Sequence, residues 1–122
     1  LASFEAAANN SGNYVEKAVL YMEINYHRKF NLSDMAGDLG LEYSYFFRLF
    51  KKAMGISPAE YLTNLRMEKA KILLNSSIKV KNIPPLIGVS DVYYFTKLFK
   101  KHTGMTPSAY TKANREGHAA ER

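Results

Sequence analysis

The chain contains no cysteine, and this absence excludes several kinds of site at once. Disulfides, thiol catalysis and thiolate metal sites all need the cysteine side chain. The three histidines, His27, His102 and His118, lie far apart in the sequence, without a second ligand at metal-binding spacing. The sequence therefore predicts no disulfide-stabilised fold, no metal site and no cofactor.

The chain also lacks the residue patterns of an enzyme and of a membrane protein. No apolar run is long enough to cross a bilayer, and no signal-peptide pattern opens the sequence. Paired carboxylates at catalytic spacing, a nucleophile beside a base and a phosphate-binding glycine loop are all missing. We expect a cytoplasmic, non-enzymatic domain without membrane contact, and the opening Leu1, in place of methionine, indicates a fragment of a longer protein.

Positive charge is concentrated in the second part of the sequence. Residues 1–50 hold four Lys and Arg against six acidic residues, whereas residues 51–122 hold thirteen against five. Such a basic region suits a polyanionic partner such as nucleic acid. An ordinary basic surface would give the same distribution, so the charge alone leaves both interpretations open.

The same sequence pattern occurs twice along the chain. Three segments of the first repeat recur in the second in the same order: residues 39–41 as 87–89, residues 45–52 as 94–101, and residues 55–58 as 104–107. The offset is 48 residues before the second helix and 49 after it. This agreement in order and spacing indicates a duplicated structural unit.

Each repeat contains the signals of a helix, a tight turn and a second helix. In the first repeat Asn31 is a typical helix N-cap, and Gly40 supplies the left-handed residue that ends this helix. A second helix is predicted from about Ser44 to Met54, and it stops at Gly55. This order is typical of a helix-turn-helix unit, although a plain helical hairpin would give the same signals.

Further helices are predicted around the repeats. Apolar periodicity predicts a leading helix from Tyr14 to about Arg28, and Ser57 with Pro58 begins a joining helix without a breaker as far as Leu74. The chain is then divided as follows: residues 1–12 a linker remnant, 13–56 a first helix-turn-helix subdomain, 57–76 the connecting helix, 77–112 a second subdomain and 113–122 a flexible tail.

Periodicity divides the second helix of each repeat into a core face and an outward face. The core face is predicted to consist of Phe46, Leu49, Phe50 and Ala53 in the first repeat, and of Phe95, Leu98, Phe99 and His102 in the second. The remaining residues form what we call the outward stripes: Ser44, Phe47, Arg48, Lys51 and Lys52 in the first repeat, and Tyr93, Thr96, Lys97, Lys100 and Lys101 in the second.

The order of residues in the outward stripes suits a helix that reads DNA. The N-terminal residues of a recognition helix reach base edges in the major groove. Arg48 can form a bidentate pair with guanine O6 and N7, and Lys97 can bond to the same atoms. The lysine pairs at 51–52 and 100–101 suit phosphate contacts, although a solvated helix face would also account for them.

Two aromatic residues of the outward stripes have two interpretations each. Phe47 can contact a thymine methyl group or pack against a neighbouring helix. Tyr93 can reach a base or a phosphate, or it can cover an edge of the core. Arg66, which is outside the outward stripes, is interpreted as structural because it lies on the joining helix.

These motifs resemble the AraC/XylS family of bacterial transcription regulators. The resemblance rests on residues 88–89, 94–101 and 104–107 with Tyr110, and it covers about residues 14–112. It implies an all-α fold of about seven helices, with two helix-turn-helix subdomains joined by a long central helix. It also implies two recognition helices in successive major grooves of double-stranded DNA, with bases contacted by Ser44, Phe47, Arg48, Tyr93, Thr96 and Lys97.

The partners that this resemblance implies are promoter or operator DNA, RNA polymerase, and a sensing domain upstream in the full-length chain. It further implies control of transcription, more often activation. A helical protein–protein interaction module without DNA binding is the main alternative, but it leaves the duplicated outward stripe unexplained. RNA binding would lack the sheet or loop signatures of the common modules.

One segment departs from the family pattern. Ile83 is followed by Pro84-Pro85, where the family usually has alanine. Proline inside a helix removes a hydrogen bond and clashes with the preceding turn. We therefore expect a late or distorted helix from about Pro84 to Ile87, and a second repeat that docks less rigidly on DNA.

Overall fold

The computed structural model describes the backbone of residues 2–121 and the side chains of residues 13–116, and this part of the chain contains helices and no strands. In chain order the elements are α1 (Ala2–Asn25), α2 (Leu32–Asp38), α3 (Tyr43–Met54), α4 (Pro58–Asn75), two 3-10 turns (Val80–Asn82 and Pro84–Leu86), α5 (Val92–Thr103) and α6 (Pro107–Glu121). With the two consecutive 3-10 turns taken as one element, these are the seven helical elements of the predicted all-α fold, which is confirmed.

The chain divides into two compact units, Leu1–Leu62 and Thr63–Arg122, each containing one sequence repeat. The division falls inside α4, within the segment 57–76 that the sequence predicts to be a separate connecting helix. The predicted subdomain boundaries at residues 56 and 77 stay predictions.

The two ends of the chain continue as helix beyond the positions that periodicity indicated. Helix α1 begins at Ala2 and ends at Asn25, so it includes most of the segment 1–12 interpreted as a linker remnant. This segment contains three consecutive alanines, the best helix formers, and no proline. Helix α6 likewise extends to Glu121, through the segment 113–122 that was predicted to be a flexible tail.

The core of the first unit forms where α1 and α2 pack against α3. Its buried apolar side chains are Val15, Ala18 and Met22 of α1, Met35 and Ala36 of α2, Phe46 and Phe50 of α3, and Leu62 of α4. The Phe46 and Phe50 rings lie 5.7 Å apart, and the Tyr61 ring meets Phe50 edge-on at 5.5 Å. Contacts of this geometry stabilise aromatic pairs beyond the burial of their area.

One residue of the predicted core face of α3 is exposed. Phe46 and Phe50 are buried and Leu49 is half-buried, but Ala53 lies on the surface. The prediction for Ala53 was wrong because the core contact of α3 ends at Phe50, and residues 51–54 are all exposed.

The predicted helix signals of the first unit are confirmed. Asn31 Oδ1 accepts hydrogen bonds from the backbone N–H groups of Ser33 at 2.7 Å and Asp34 at 3.2 Å. Gly40 has a left-handed φ of 81°, and the Leu41 N–H donates to the Ala36 carbonyl at 2.9 Å. This Schellman closure ends α2 and turns the chain towards α3.

The second unit replaces the first helix of the repeat by two 3-10 turns. The turn at Pro84–Leu86 confirms the prediction of a short, distorted helix there, because neither proline can donate a helical hydrogen bond. Gly88 is left-handed with a φ of 73°, and the Val89 N–H donates to the Pro84 carbonyl at 3.0 Å. Since Val89 and Pro84 match Leu41 and Ala36 at the offset of 48, both units close this turn with the same hydrogen bond.

The core of the second unit repeats that of the first. Its buried apolar side chains are Met67, Ala70 and Leu74 of α4, Ile83, Ile87 and Val89 of the turn segment, and Phe95 and Phe99 of α5. The Phe95 and Phe99 rings lie 5.6 Å apart, and Tyr110 meets Phe99 edge-on at 5.4 Å. Both second helices are thus held by a phenylalanine pair with a tyrosine on the second ring.

Polar contacts tie the end of α5 to α4. His102 Nε2 lies 2.8 Å from Glu68 Oε2, and Lys71 Nζ lies 2.7 Å from the same oxygen. The hydrogen bonds of Glu68 with Lys71 and His102 lower the pKa of this carboxyl below its ordinary value. His102 stands at the position of Ala53 in the repeat, so the second unit has a polar contact where the first has an exposed alanine.

Two glycines at the end of α2, Gly37 inside the helix and Gly40 in the turn after it, should respond in opposite ways to the same substitution. Gly40→Ala forces a Cβ into the left-handed region and should lower the free energy of unfolding by about 1–2 kcal/mol. Gly37→Ala lies within α2 with no atom near the added Cβ, and it should raise the free energy of unfolding by about 0.5 kcal/mol. Urea denaturation measures both values, and a stabilised Gly40→Ala variant would contradict the assigned backbone role.

Removal of the Glu68 carboxylate should destabilise the chain only above acid pH. The folded state lowers the pKa of Glu68, so its contribution is present above the ordinary value of 4.5 and is lost as the pH falls below it. Glu68→Gln should lower the free energy of unfolding at pH 7 by less than about 1 kcal/mol, because the side chain is 55% exposed. Urea denaturation from pH 7 to pH 2 tests this: a difference that persists unchanged at pH 2 rules out the charge as its cause.

Candidate nucleic-acid interface

Helix α3 presents its outward stripe on the side opposite its buried phenylalanines. Ser44, Arg48, Lys51 and Lys52 are exposed, and Phe47 is half-buried. The helix begins after Glu42, which makes no side-chain cap hydrogen bond, and it ends at Gly55 with a left-handed φ of 81°. The chain thus offers one polar residue and one guanidinium near the start of α3 and two ammonium groups near its end.

Phe47 makes its ring contacts within its own helix. Its ring lies 6.2 Å from the Tyr43 ring in an edge arrangement, and Lys51 Nζ lies 6.0 Å from its ring centroid. Contact with a thymine methyl group and packing against another helix both stay predictions. The half-buried ring leaves part of its surface open on the outward stripe.

Helix α5 has the same arrangement, and unlike α3 it begins with a side-chain cap. Asp91 Oδ1 accepts a hydrogen bond from the Tyr94 N–H at 2.8 Å, and Gly104 ends the helix with a φ of 82°. Lys97 is exposed, as are both lysines of the pair 100–101. Thr96 is half-buried, and its hydroxyl donates to the Val92 carbonyl at 2.8 Å. The Thr96 oxygen keeps its capacity to accept a hydrogen bond.

Tyr93 is the most exposed large hydrophobic side chain of α5. Its exposed fraction is 70%, so its ring covers little of the core. Lys97 lies one helical turn further on, and its Nζ is 4.5 Å from the Tyr93 ring centroid. This distance is within the range of a cation–π interaction.

The lysine pairs also have a structural effect on their own helices. Lys51 and Lys52 occupy the last turn of α3, and Lys100 and Lys101 that of α5. Positive charge at a helix C-terminus interacts favourably with the helix dipole, by about 0.3–1 kcal/mol at an exposed position. Helix stability therefore accounts for part of the repetition, and the phosphate contacts of these lysines stay a prediction.

Two exposed tyrosines lie beside the outward stripes and are not among the predicted site residues. Tyr45 of α3 and Tyr94 of α5 are equivalent in the repeat, and their exposed fractions are 44% and 50%. The repetition of a tyrosine at this position was the signal that could have identified them. In the second unit Tyr94 also interacts electrostatically with the half-buried Arg66: burial lowers the pKa of Arg66, and Tyr94 opposes this shift.

The structure shows no other candidate chemistry in the part that it describes. Among the side chains of residues 13–116, no three His, Asp or Glu residues are grouped so that they could hold a metal ion. None of the helices there is long and apolar enough to cross a membrane.

Comparisons with known proteins agree with this architecture. A sequence model of a helix-turn-helix domain family matches residues 35–113. The C-terminal domain of the two-component response regulator yesN from Fusobacterium nucleatum is 38% identical, with a TM-score of 0.77 over 81% of this chain and 98% of that domain. The C-terminal domain of AraT, a response regulator from Geobacillus stearothermophilus, is 30% identical, with a TM-score of 0.79 over 82% of this chain and 84% of that domain.

Full-length relatives are much longer than this chain. The HTH-type transcriptional activator Btr of Bacillus subtilis is 38% identical over 107 residues, which are 87% of this chain and 20% of that protein. The chain spans about a third or less of the curated relatives that it matches. The family match covers more than half of the chain and includes both repeats. The chain therefore belongs to the AraC-type helix-turn-helix family of DNA-binding domains, the family that its sequence motifs resemble.

Proposed function

We propose that this chain binds double-stranded DNA sequence-specifically, as the output domain of a bacterial transcription regulator. The observation that carries the proposal is that one outward stripe is repeated, position for position, on the exposed faces of α3 and α5. Each stripe begins with a residue that can read a base edge and ends with two ammonium groups. In this arrangement each of the helices α3 and α5 enters a major groove.

The outward stripes divide into two kinds of contact. Base edges are contacted by the residues near the helix starts: Ser44, Phe47 and Arg48 on α3, and Tyr93, Thr96 and Lys97 on α5. Arg48 contributes most to discrimination, because its planar guanidinium matches guanine O6 and N7 with two parallel hydrogen bonds. The exposed position of Arg48 leaves this fork accessible to a groove.

Phosphates are contacted by the lysines near the helix ends: Lys51 and Lys52 on α3, and Lys100 and Lys101 on α5. Each phosphate contact releases condensed counterions from DNA, so it makes binding weaker at higher salt without selecting a sequence. The net charge of +6 supports this electrostatic part of binding.

The remaining parts of the proposal concern the longer protein. A relative named a transcriptional activator supports contact with RNA polymerase, and the solved domains of two response regulators support control by a separate sensing segment. Because promoter DNA and RNA polymerase are found in the bacterial cytoplasm, we expect this activity there. The rival function is a helical protein–protein interaction module, and a gel shift distinguishes the two. A chain that retards no duplex, even from a random library at low salt, would leave only the rival function.

Arg48 and Lys51 should differ in what they contribute to DNA binding. On a duplex selected by the chain from a random library, Arg48→Ala should lose roughly 1–3 kcal/mol, and the loss should be confined to one base pair of a substituted panel. Lys51→Ala should weaken binding to every duplex and make the slope of log K against log salt shallower by about 0.9. Fluorescence anisotropy over a salt series measures both effects.

Lys17 provides the matched control, because it is an exposed lysine of α1 that lies outside the outward stripe. Lys17→Ala removes the same charge from the same unit and should leave both the slope and the base profile unchanged. Identical base profiles for Arg48→Ala and Lys51→Ala would show that the two roles are wrongly assigned.

A further inference from the structure

The ring of Tyr93 and the ammonium group of Lys97 form a side-chain pair on the outward stripe of α5. Lys97 Nζ lies 4.5 Å from the ring centroid, and the two residues are one helical turn apart. An ammonium within about 6 Å of a tyrosine face is attracted by the negative charge of the π-system. Because Tyr93 is 70% exposed, its ring covers little of the core.

The equivalent residues of the first unit form no such pair. Ser44 occupies the position of Tyr93 in the repeat, so no aromatic ring stands four residues before Arg48. The aromatic ring of the outward stripe on α3 is that of Phe47. Its cation partner is Lys51 at 6.0 Å, a residue proposed to contact phosphate. In the second unit the same aromatic–cation spacing falls one turn earlier and includes the residue proposed to read a base.

At a position that contacts a base edge, a lysine side chain is less well ordered than an arginine side chain. Its ammonium group is a point charge on a flexible four-carbon chain, whereas the arginine fork is planar and already ordered. A lysine that samples many rotamers selects one base edge poorly. A ring that fixes the ammonium on one side leaves its other N–H groups free to donate to O6 and N7.

We propose that Tyr93 is a positioning residue, whose ring holds Lys97 in place to read a base edge. The proposal rests on the proposed DNA binding and assigns different parts to two residues of the same stripe. Tyr93 acts through the face of its ring, and its hydroxyl group is not required. Lys97 makes the hydrogen bonds to the base. Specificity in the second unit then depends on an aromatic residue that acts through Lys97, and this indirect role replaces the direct base contact proposed above for Tyr93.

Four variants of the 122-residue chain test this role on the duplex that the wild-type chain selects from a random library: Tyr93→Phe, Tyr93→Leu, Lys97→Ala and the double variant Tyr93→Leu/Lys97→Ala. Tyr93→Phe keeps the ring and should keep the discrimination at the base pair that Lys97→Ala affects. Tyr93→Leu should weaken binding about two- to fivefold, the range of an exposed cation–π contact. Its discrimination should relax at the same base pair that Lys97→Ala affects.

The double variant decides whether Tyr93 acts through Lys97. Tyr93→Leu should cause no further loss once Lys97 is alanine, because the ring then has no ammonium group to hold. The matched control is Tyr94→Leu, which removes the neighbouring exposed tyrosine of α5. Its effect should add to that of Lys97→Ala.

A measurement without DNA tests the contact itself. In the free chain the ε-methylene protons of Lys97 should show an upfield ring-current shift by NMR. The shift should persist in Tyr93→Phe and disappear in Tyr93→Leu. Absence of the shift from the wild-type chain would overturn the proposal.

The binding data can also overturn the proposal in two ways. A loss in Tyr93→Phe as large as that in Tyr93→Leu would assign the effect to the hydroxyl group. Full additivity of Tyr93→Leu and Lys97→Ala would show that the two residues act separately. A wild-type chain that binds no duplex would overturn the proposed function together with this inference, whereas additive variants of a DNA-binding chain would overturn this inference alone.

Discussion

A pair of phenylalanines one turn apart anchors the second helix of each unit, and the orientation of the outward stripe follows from this anchor. Phe46 and Phe50 are fully buried in the first unit, as are Phe95 and Phe99 in the second. In both units a tyrosine meets the second ring edge-on. Once these rings are fixed, helical geometry turns the remaining positions away from the core, and any rotation of the helix would bury a charged residue. The proposed DNA contacts therefore depend on aromatic packing on the opposite face.

The two units share this backbone arrangement but differ in the side chains that surround it. The carboxylate of Asp91 caps α5, whereas α3 begins at Glu42 without a side-chain cap. His102 connects the end of α5 to Glu68, at a position where the first unit has the exposed Ala53. Both differences give α5 more polar restraint than α3. The two prolines predict weaker docking of the second unit, whereas the second helix of that unit is held by more polar contacts than that of the first.

Local chemistry made much of this fold predictable from the sequence. Caps, left-handed glycines and the proline pair act within a few residues, so their structural effect could be inferred without knowledge of the tertiary structure. The exposure of Ala53 could not be inferred, because periodicity shows which side of a helix is apolar but not where its neighbours end. The contact between Tyr93 and Lys97 depends on the rotamers of two long side chains, and spacing alone makes it only one of several arrangements. Of the site, the outward stripes were therefore predictable, and the contacts within them were not.

The hydrogen bond from Val89 to the Pro84 carbonyl has a consequence for how such repeats diverge. A proline cannot donate a backbone hydrogen bond, but its carbonyl accepts one as well as that of any other residue. The turn before α5 therefore needs an acceptor at residue 84 and a left-handed residue at 88, and it does not need a regular helix between residues 80 and 87. One copy of a duplicated unit can therefore have a regular first helix and the other two 3-10 turns, while both close the turn before their second helix with the same hydrogen bond.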